Sequence, residues 1–174
     1  MCGGKGSRMG YVEKPMLSIN GVRLIDMAVN EVERAGLEAI FVTSRFTEKT
    51  ERYLMDRGFE VFRGDGTGYM RDVQKALAEY GLTHPVLTLN SDLYYVVGGI
   101  VDRVLSHYFA VDTPALTTVY PNGRHVGINV FDPIFGEQEE EKIILDESTV
   151  INIDTPADVE RALWMSTLKR EKDW

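Results

Sequence analysis

Four short segments of the sequence combine glycines, cations and carboxylates at spacings that suit the handling of a nucleoside triphosphate. The first, MCGGKGSRMGYVEKP (residues 1–15), sets Gly3, Gly4 and Gly6 among Lys5, Ser7, Arg8 and Lys14. Bare backbone lets successive N–H groups close on phosphate oxygens while the cations neutralise their charge. It is not a Walker A loop, because Gly-Lys-Ser/Thr after four spacer residues is absent, and it fails the dinucleotide fingerprint because Met9 stands where the third glycine belongs. The second, RGDGTGYMRD (63–72), offers Gly66 and Gly68 for close approach to a base or ribose, with Thr67 as a helix cap or hydroxyl contact. An ordinary β-to-α turn has the same composition. The third, LNSD (89–92), ends the most apolar strand on Asp92. One carboxylate plus substrate phosphates commonly holds Mg²⁺, although an Asx turn or cap would use the same residues. In the fourth, NIDTPADV (152–159), Thr155, Pro156 and Asp158 read as N-cap, first-turn proline and N3 acid. Asp154 precedes the cap and is free for a metal.

Other chemistry is poorly supported. His84, His107 and His125 have no metal-ligand spacing, and no Ser/His/Asp order is present. His125, in PNGRHVGIN, is a candidate substrate contact; Cys2, the single cysteine, reads as a packing residue and excludes an internal disulfide framework.

These segments need a frame. A chain of 174 residues suits one domain, 1–174, with a real core. The net charge of −8 argues against a nucleic-acid partner, and the cationic opening on an acidic chain points instead to a small anion. No apolar run is long enough for a membrane span, and a cytoplasmic location is the default expectation. Oligomeric state is left open, a homodimer included. Apolar periodicity predicts helices over 22–35, 47–58, 69–81, one carrying Ile100 to Tyr108, and one from Pro156 towards Lys169. Thr47 is the expected cap of the second. Strands are expected at 39–44, 59–62, 86–90, 115–120, 127–131 and in two runs within 142–153, while GEQEEEK (136–142) reads as a solvated loop or short helix. Such alternation predicts a mostly parallel sheet with an antiparallel addition, helices on both faces, and the ligand beyond the strands' carboxyl ends.

In this order and spacing the four segments resemble the nucleotidyltransferases of the GT-A-like α/β fold. GGKGSRM with EKP resembles their signature loop and downstream lysine, GTGY their nucleoside turn, LNSD their metal aspartate, and NIDTPADV their late Asn-x-Asn/Asp-Thr segment. Within them, GGKGSRMGYVEKP, DGTGYMRDVQKAL, VGINVFDP and ILDESTVINIDTPADVERA are similar to the archaeal GTP:adenosylcobinamide-phosphate guanylyltransferases of cobamide assembly. The resemblance implies a three-layer α/β/α Rossmann-like sheet and GMP transfer from GTP to adenosylcobinamide phosphate. It implies Gly3, Gly4, Lys5, Gly6, Ser7 and Arg8 on the triphosphate, Lys14 at the α-phosphate, and Gly66, Thr67 and Gly68 at the nucleoside. Lys14, Arg8 and Asp92 would carry catalysis, Asp92 and Asp154 would hold Mg²⁺, and His125, Gly127 and Asn129 would line the acceptor side. Two departures stand out. Asp154 occupies a position where asparagine is common. The buried strand expected before the glycine loop is reduced to Met1 and Cys2, so the first strand, a central one, is expected to be missing or truncated.

Overall fold

The computed structural model describes residues 1–135 and 139–172. In chain order the elements are β1 (Ser18–Ile19), β2 (Val22–Arg23), α1 (Leu24–Arg34), β3 (Ile40–Thr43), α2 (Glu48–Asp56), β4 (Glu60–Arg63), α3 (Tyr69–Glu79), β5 (Val86–Leu89), β6 (Leu93–Tyr95), α4 (Ile100–Ala110), β7 (Ala115–Val119), β8 (His125–Phe131), β9 (Glu140–Ile144), β10 (Val150–Asn152) and α5 (Pro156–Lys172). Short 3₁₀ turns span Ser7–Met9 and Lys14–Met16.

The helices follow their apolar stripes. α1 buries Leu24, Ile25, Ala28 and Val29, and Gly36 just beyond it takes the left-handed conformation that stops it. Glu31 breaks the pattern. It is a buried carboxylate that accepts the N–H groups of Gly99, Ile100 and Val101, satisfying the opening amides of α4. Thr47 stands at the N-cap of α2 as expected, but its hydroxyl makes no capping bond: it is turned to Ser44, accepting that residue's N–H and donating to its carbonyl. β1 and β2 form a hairpin across Asn20 and Gly21, both at positive φ as a tight reversal requires.

Four strands pair in the order β5-β8-β7-β9, and β3 pairs with β4. Between β3 and β5 lies a one-strand gap that is bridged only at its carboxyl end by Met1 and Cys2. Met1 N donates to Leu89 O, Ser91 N donates to Met1 O, and Cys2 N donates to Val42 O. The alternation of donor and acceptor around Met1 is that of a parallel ladder. β3–β4 and β7–β9 are parallel, whereas β8 is antiparallel to both β5 and β7. Every strand of the large sheet except β8 therefore points the same way, which is the mixed sheet with one antiparallel addition. β6 pairs with β10 as a separate ribbon, so the carboxyl end of β5 is carried through Asp92 towards Asn152.

The main core gathers Leu93, Ile100, Val104, Leu116, Val126 and Ile128 from β6, α4, β7 and β8. Cys2 is buried with Ile25, Val29, Phe41 and Leu54, in the packing role its lone occurrence indicated. Of the acidic run 136–142, Glu140 to Lys142 form the exposed start of edge strand β9 rather than a loop or helix; 136–138 lie outside the described residues. Charged side chains on an edge strand discourage pairing with another chain.

Candidate active site

At the carboxyl ends of the parallel strands a cleft of about 760 Å³ opens. Its wall begins with the glycine loop. Gly6, at φ 59°, reverses the chain, and its carbonyl accepts the N–H groups of Met9 and Tyr11. A Cβ at Gly6 would lie 2.1 Å from Val12 O, so the turn excludes any side chain there. Ser44 donates to Gly3 O, and the Phe46 ring lies under both the Lys5 ammonium and the Arg45 guanidinium. The opposite wall is the Gly66–Gly68 turn, which folds against Ser44 and Phe46 closely enough that a Cβ on Gly66 would sit 3.0 Å from each. Asp72, reaching back from α3, accepts the N–H groups of Asp65 and Gly66 and fixes that turn. α3 is capped by Gly68 without a side-chain hydrogen bond, so Thr67 does not serve as its cap.

The floor carries the charge. Lys14 Nζ lies 3.0 Å from Asp92 Oδ2 and 2.7 Å from Asp154 Oδ1. Burial alone would lower the Lys14 pKa, but Asp92 and Asp154 outweigh it and hold the ammonium above its ordinary value. Burial pushes the Asp92 carboxyl up, Lys14 opposes this, and Asp154 adds to it. Arg8, exposed, stands 3.6 Å from the other oxygen of Asp154. Two further carboxylates hold the parts in place. Glu13 accepts the N–H groups of Lys49 and Thr50 and the Thr50 hydroxyl, pinning the residue before Lys14 to the first turn of α2. Asp158 accepts the N–H groups of Asp154 and Thr155 and the Thr155 hydroxyl. Half of the expected capping box is therefore present: the N3 acid reaches back, while the Thr155 hydroxyl donates to it instead of receiving the Asp158 N–H.

On β8, Gly127 has φ 106° and Asn90 packs directly over it, its Nδ2 only 2.4 Å from where a Cβ would be. Asn129 accepts from the Thr117 hydroxyl, and His125 stands 3.4 Å from the same hydroxyl. The Tyr69 hydroxyl faces the same cluster; burial pushes its pKa up, and the neighbouring Thr88 and Asn129 side chains oppose this.

A sequence model of the MobA-like NTP transferase domain matches residues 1–152. The chain belongs to this family. The adenosylcobinamide-phosphate guanylyltransferase of Methanocaldococcus jannaschii is 30% identical over 185 aligned residues, covering 93% of each chain. Among solved structures the fold is shared with Rv0371c of Mycobacterium tuberculosis, at TM-score 0.72 and 15% identity over 94% of this chain and 95% of that one. A further structure of that protein, in complex with manganese, matches at TM-score 0.65 and 14% identity over 87% and 91%. The nucleoside-diphosphate-sugar pyrophosphorylase of Vibrio cholerae matches at TM-score 0.68 and 12% identity over 93% and 97%.

As a member of the MobA-like NTP transferases, the chain has a donor set suited to a hard divalent cation. Asp92 Oδ1 is buried with no hydrogen-bond partner among the described residues, and Asp92 and Asp154 already converge on one positive charge, Lys14 Nζ. Two carboxylates that share a cation, with phosphate oxygens to complete the shell, fit Mg²⁺ or Mn²⁺ chemistry. No group of three or more His, Cys, Asp or Glu side chains poised for a metal occurs among the described residues.

The cleft brings together the sequence-predicted Gly3, Gly4, Lys5, Gly6, Ser7, Arg8, Lys14, Gly66, Thr67, Gly68, Asp92 and Asp154. His125, Gly127 and Asn129 do not line it; they stand beside it, joined through Asn90 and Tyr69. Of the cleft-lining Arg45, Tyr69 and Asn90, sequence reasoning gave no role to Arg45, took Tyr69 only as part of the GTGY turn and Asn90 only as an Asx-turn or cap candidate, and it did not mark Glu13 and Asp72 as anchors. Asp72 and Tyr69 lie within the RGDGTGYMRD segment, so the motif marked their neighbourhood without their roles.

Proposed function

We propose that this protein transfers GMP from GTP to adenosylcobinamide phosphate, giving adenosylcobinamide-GDP and pyrophosphate. The observation that carries the transfer chemistry is Lys14 held between Asp92 and Asp154 on the floor of a glycine-walled cleft. The acceptor follows from the guanylyltransferase relative, which matches across nearly the whole chain.

In this reading the amides of Gly3 to Gly6, which no backbone carbonyl takes among the described residues, face the triphosphate. Lys5, Arg8 and Arg45 offset its charge, and Gly66 to Gly68 border the nucleoside. Asp92 and Asp154 would hold Mg²⁺, which when bound neutralises phosphate charge and fixes the orientation of the triphosphate. Lys14, released from the two carboxylates, moves to the α-phosphate and stabilises the charge that builds as pyrophosphate departs. The attacking group is a phosphate monoester, already a competent nucleophile. The chain therefore needs no strong base, and its contribution is positioning and electrostatics. Asn129, His125 and the Gly127 backbone meet the acceptor, with Tyr69 between the two substrates. We place the reaction in the cytoplasm, where GTP is supplied; no described helix is long and apolar enough to cross a membrane.

The test is pyrophosphate release with GTP, ATP and CTP against a panel of adenosylcobinamide phosphate, molybdopterin, phospholactate and a sugar phosphate. Turnover with GTP and adenosylcobinamide phosphate is expected to exceed every other pair at least tenfold. Preference for another acceptor would reassign the substrate within the same family. GTP binding without turnover on any acceptor would make the protein a nucleotide-binding regulator.

A further inference from the structure

His125 and Asn129 stand beside the cleft, and the strand register shows what they belong to. Thr88 of β5, Asn129 of β8, Thr117 of β7 and Lys142 of β9 are paired side by side across the four-stranded sheet. Side chains paired in this way project from the same face. They form one polar row, and His125 joins it, its ring 3.4 Å from the Thr117 hydroxyl. The other face of the same strands is apolar: Leu116, Val130 and Ile143 enter the core with Ile100 and Val104 of α4. Along β7 the row is a shallow trough. Thr117 is its buried floor, and the exposed His125 and Lys142 stand on either side.

The hydrogen bonds within the row decide what it offers. Thr117 has one hydroxyl proton, and donates it to Asn129 Oδ1 at 2.7 Å. Asn129 keeps its two Nδ2 protons, for Tyr69 on one side and for a ligand on the other. Towards His125 Nδ1 the same hydroxyl can only accept, which places the ring proton on Nδ1 and leaves Nε2 an acceptor. Lys142 adds a donor at the far end. At the near end Tyr69, part of the cleft lining, turns its hydroxyl to Thr88 and Asn129. The row is thus continuous with the cleft. From β5 to β9 it crosses three strand spacings, about 14 Å.

We infer that this row reads the body of the acceptor, and that the body it takes is a wide ring edged with primary carboxamides. The inference rests on the function proposed above, in which the phosphate arm of adenosylcobinamide phosphate reaches the cleft. A carboxamide carries a carbonyl acceptor and N–H donors on one group. The row answers with donors on Asn129 and Lys142 and an acceptor on His125. A second phosphate is a poor occupant, because Glu140, two places from Lys142 on the same face of β9, cancels its charge. A single sugar ring would cover one strand spacing and leave Lys142 unused. Thr117 is a positioning residue: from beneath, it orients the Asn129 amide and sets the His125 tautomer.

The test uses Lys142→Met, Thr117→Val and Thr117→Ser in the full chain, with two acceptors. One is adenosylcobinamide phosphate; the other is aminopropanol phosphate, its phosphorylated arm without the ring. In Lys142→Met and Thr117→Val the KM for the whole acceptor should rise about tenfold, while KM for GTP and for the arm alone stays within about threefold of the parent. Thr117→Ser keeps the hydroxyl and should restore the parent KM. Lys142 is exposed, so its variant reports even where a change at buried Thr117 disturbs folding. Equilibrium dialysis of adenosylcobinamide, which has the ring but no phosphate, is read in parallel, and both variants should weaken it about tenfold. Turnover of adenosylcobinamide phosphate with an unchanged KM in both variants would overturn the inference and leave the proposed function standing. Binding of adenosylcobinamide that both variants weaken, without turnover in the parent, would support the row and defeat the proposed transfer. Neither turnover nor binding in the parent would overturn both.

Discussion

Replacing Lys14 with alanine should move two measurable quantities in opposite directions. In the ligand-free cleft its ammonium satisfies Asp92 at 3.0 Å and Asp154 at 2.7 Å, so a divalent cation that binds those carboxylates has to displace it. A hydrogen bond to a charged group contributes ~1.5–3 kcal/mol. The partners are partly solvated, with side-chain exposures of 15%, 21% and 30%, which trims the coupling through solvent screening. Removing the competitor should tighten Mn²⁺ binding by about one to two orders of magnitude, or ~1.4–2.8 kcal/mol. In the proposed transition state the same ammonium would meet charge that the ground state lacks. Loss of one such group in a preorganised site costs ~2.7–4 kcal/mol, a fall of about 100- to 1,000-fold in turnover. Calorimetric titration with Mn²⁺ in the absence of nucleotide reads the first effect. Pyrophosphate release at saturating GTP and metal reads the second. Turnover within about threefold of the parent, less than ~0.7 kcal/mol, would remove Lys14 from the chemistry. Weaker Mn²⁺ binding would show that Lys14 organises the carboxylates instead of competing for them.

The other outcomes concern single groups. Asp92→Asn should depress turnover about 100-fold or more at ordinary Mg²⁺ and recover partly at high Mg²⁺ or with Mn²⁺; an unaltered metal dependence would return Asp92 to a turn-forming role. Asp154→Asn should be milder by at least tenfold, since an amide oxygen still coordinates. Gly6→Ala must move Val12 O and should raise KM for GTP at least tenfold, whereas Gly10→Ala, with open space around it, should cost only the ~1 kcal/mol of its positive φ. Glu13→Ala should lower kcat more than it raises KM, with Glu13→Gln restoring most of it; equal loss in both variants would assign the effect to folding alone. Because the folded Lys14 pKa lies above 10.5, its contribution to stability is fully present below that value and fades only as pH rises through the higher folded pKa. The stability gap between the parent and Lys14→Met should accordingly stay flat from neutrality to pH 10.5.

What the sequence revealed is what short-range spacing encodes. Gly66 to Gly68 and Asp154 sit at strand-to-helix junctions, Asp92 between β5 and β6, and Gly3 to Gly6 ahead of a short 3₁₀ turn, places where glycine and carboxylate patterns survive in a dozen residues. The anchors were not legible for a physical reason: their partners are distant in sequence. Glu31 looks like a solvated helix residue until α4 arrives some seventy residues later. Glu13 reads as a charge beside Lys14 until α2 presents two free amides. Thr47 and Thr155 were read as caps from local rules, and nearby acceptors drew their hydroxyls elsewhere. The Asn20-Gly21 turn carried a hairpin signal, but its flanking strands are two residues each, too short for alternation to register.

Glu13, Asp72 and Asp158 each govern a loop of the donor side through a pair of neighbouring amides. Gly127 and Asn129, proposed to meet the acceptor, are held differently, within the ladder of a four-stranded sheet. The cleft and the β8 strand beside it are therefore exposed to mutation in unlike ways. A single codon change can loosen a donor loop and abolish nucleotide handling while the core stays folded, so variation there is either silent or crippling. In the proposed reading the strand ladder holds the backbone at His125 and Asn129, so a replacement at either alters what is recognised, whereas Gly127, with Asn90 2.4 Å from where a Cβ would be, admits no side chain. A lineage built on this scaffold can exchange one acceptor for another by small steps on β8 while the triphosphate end of the cleft remains unchanged.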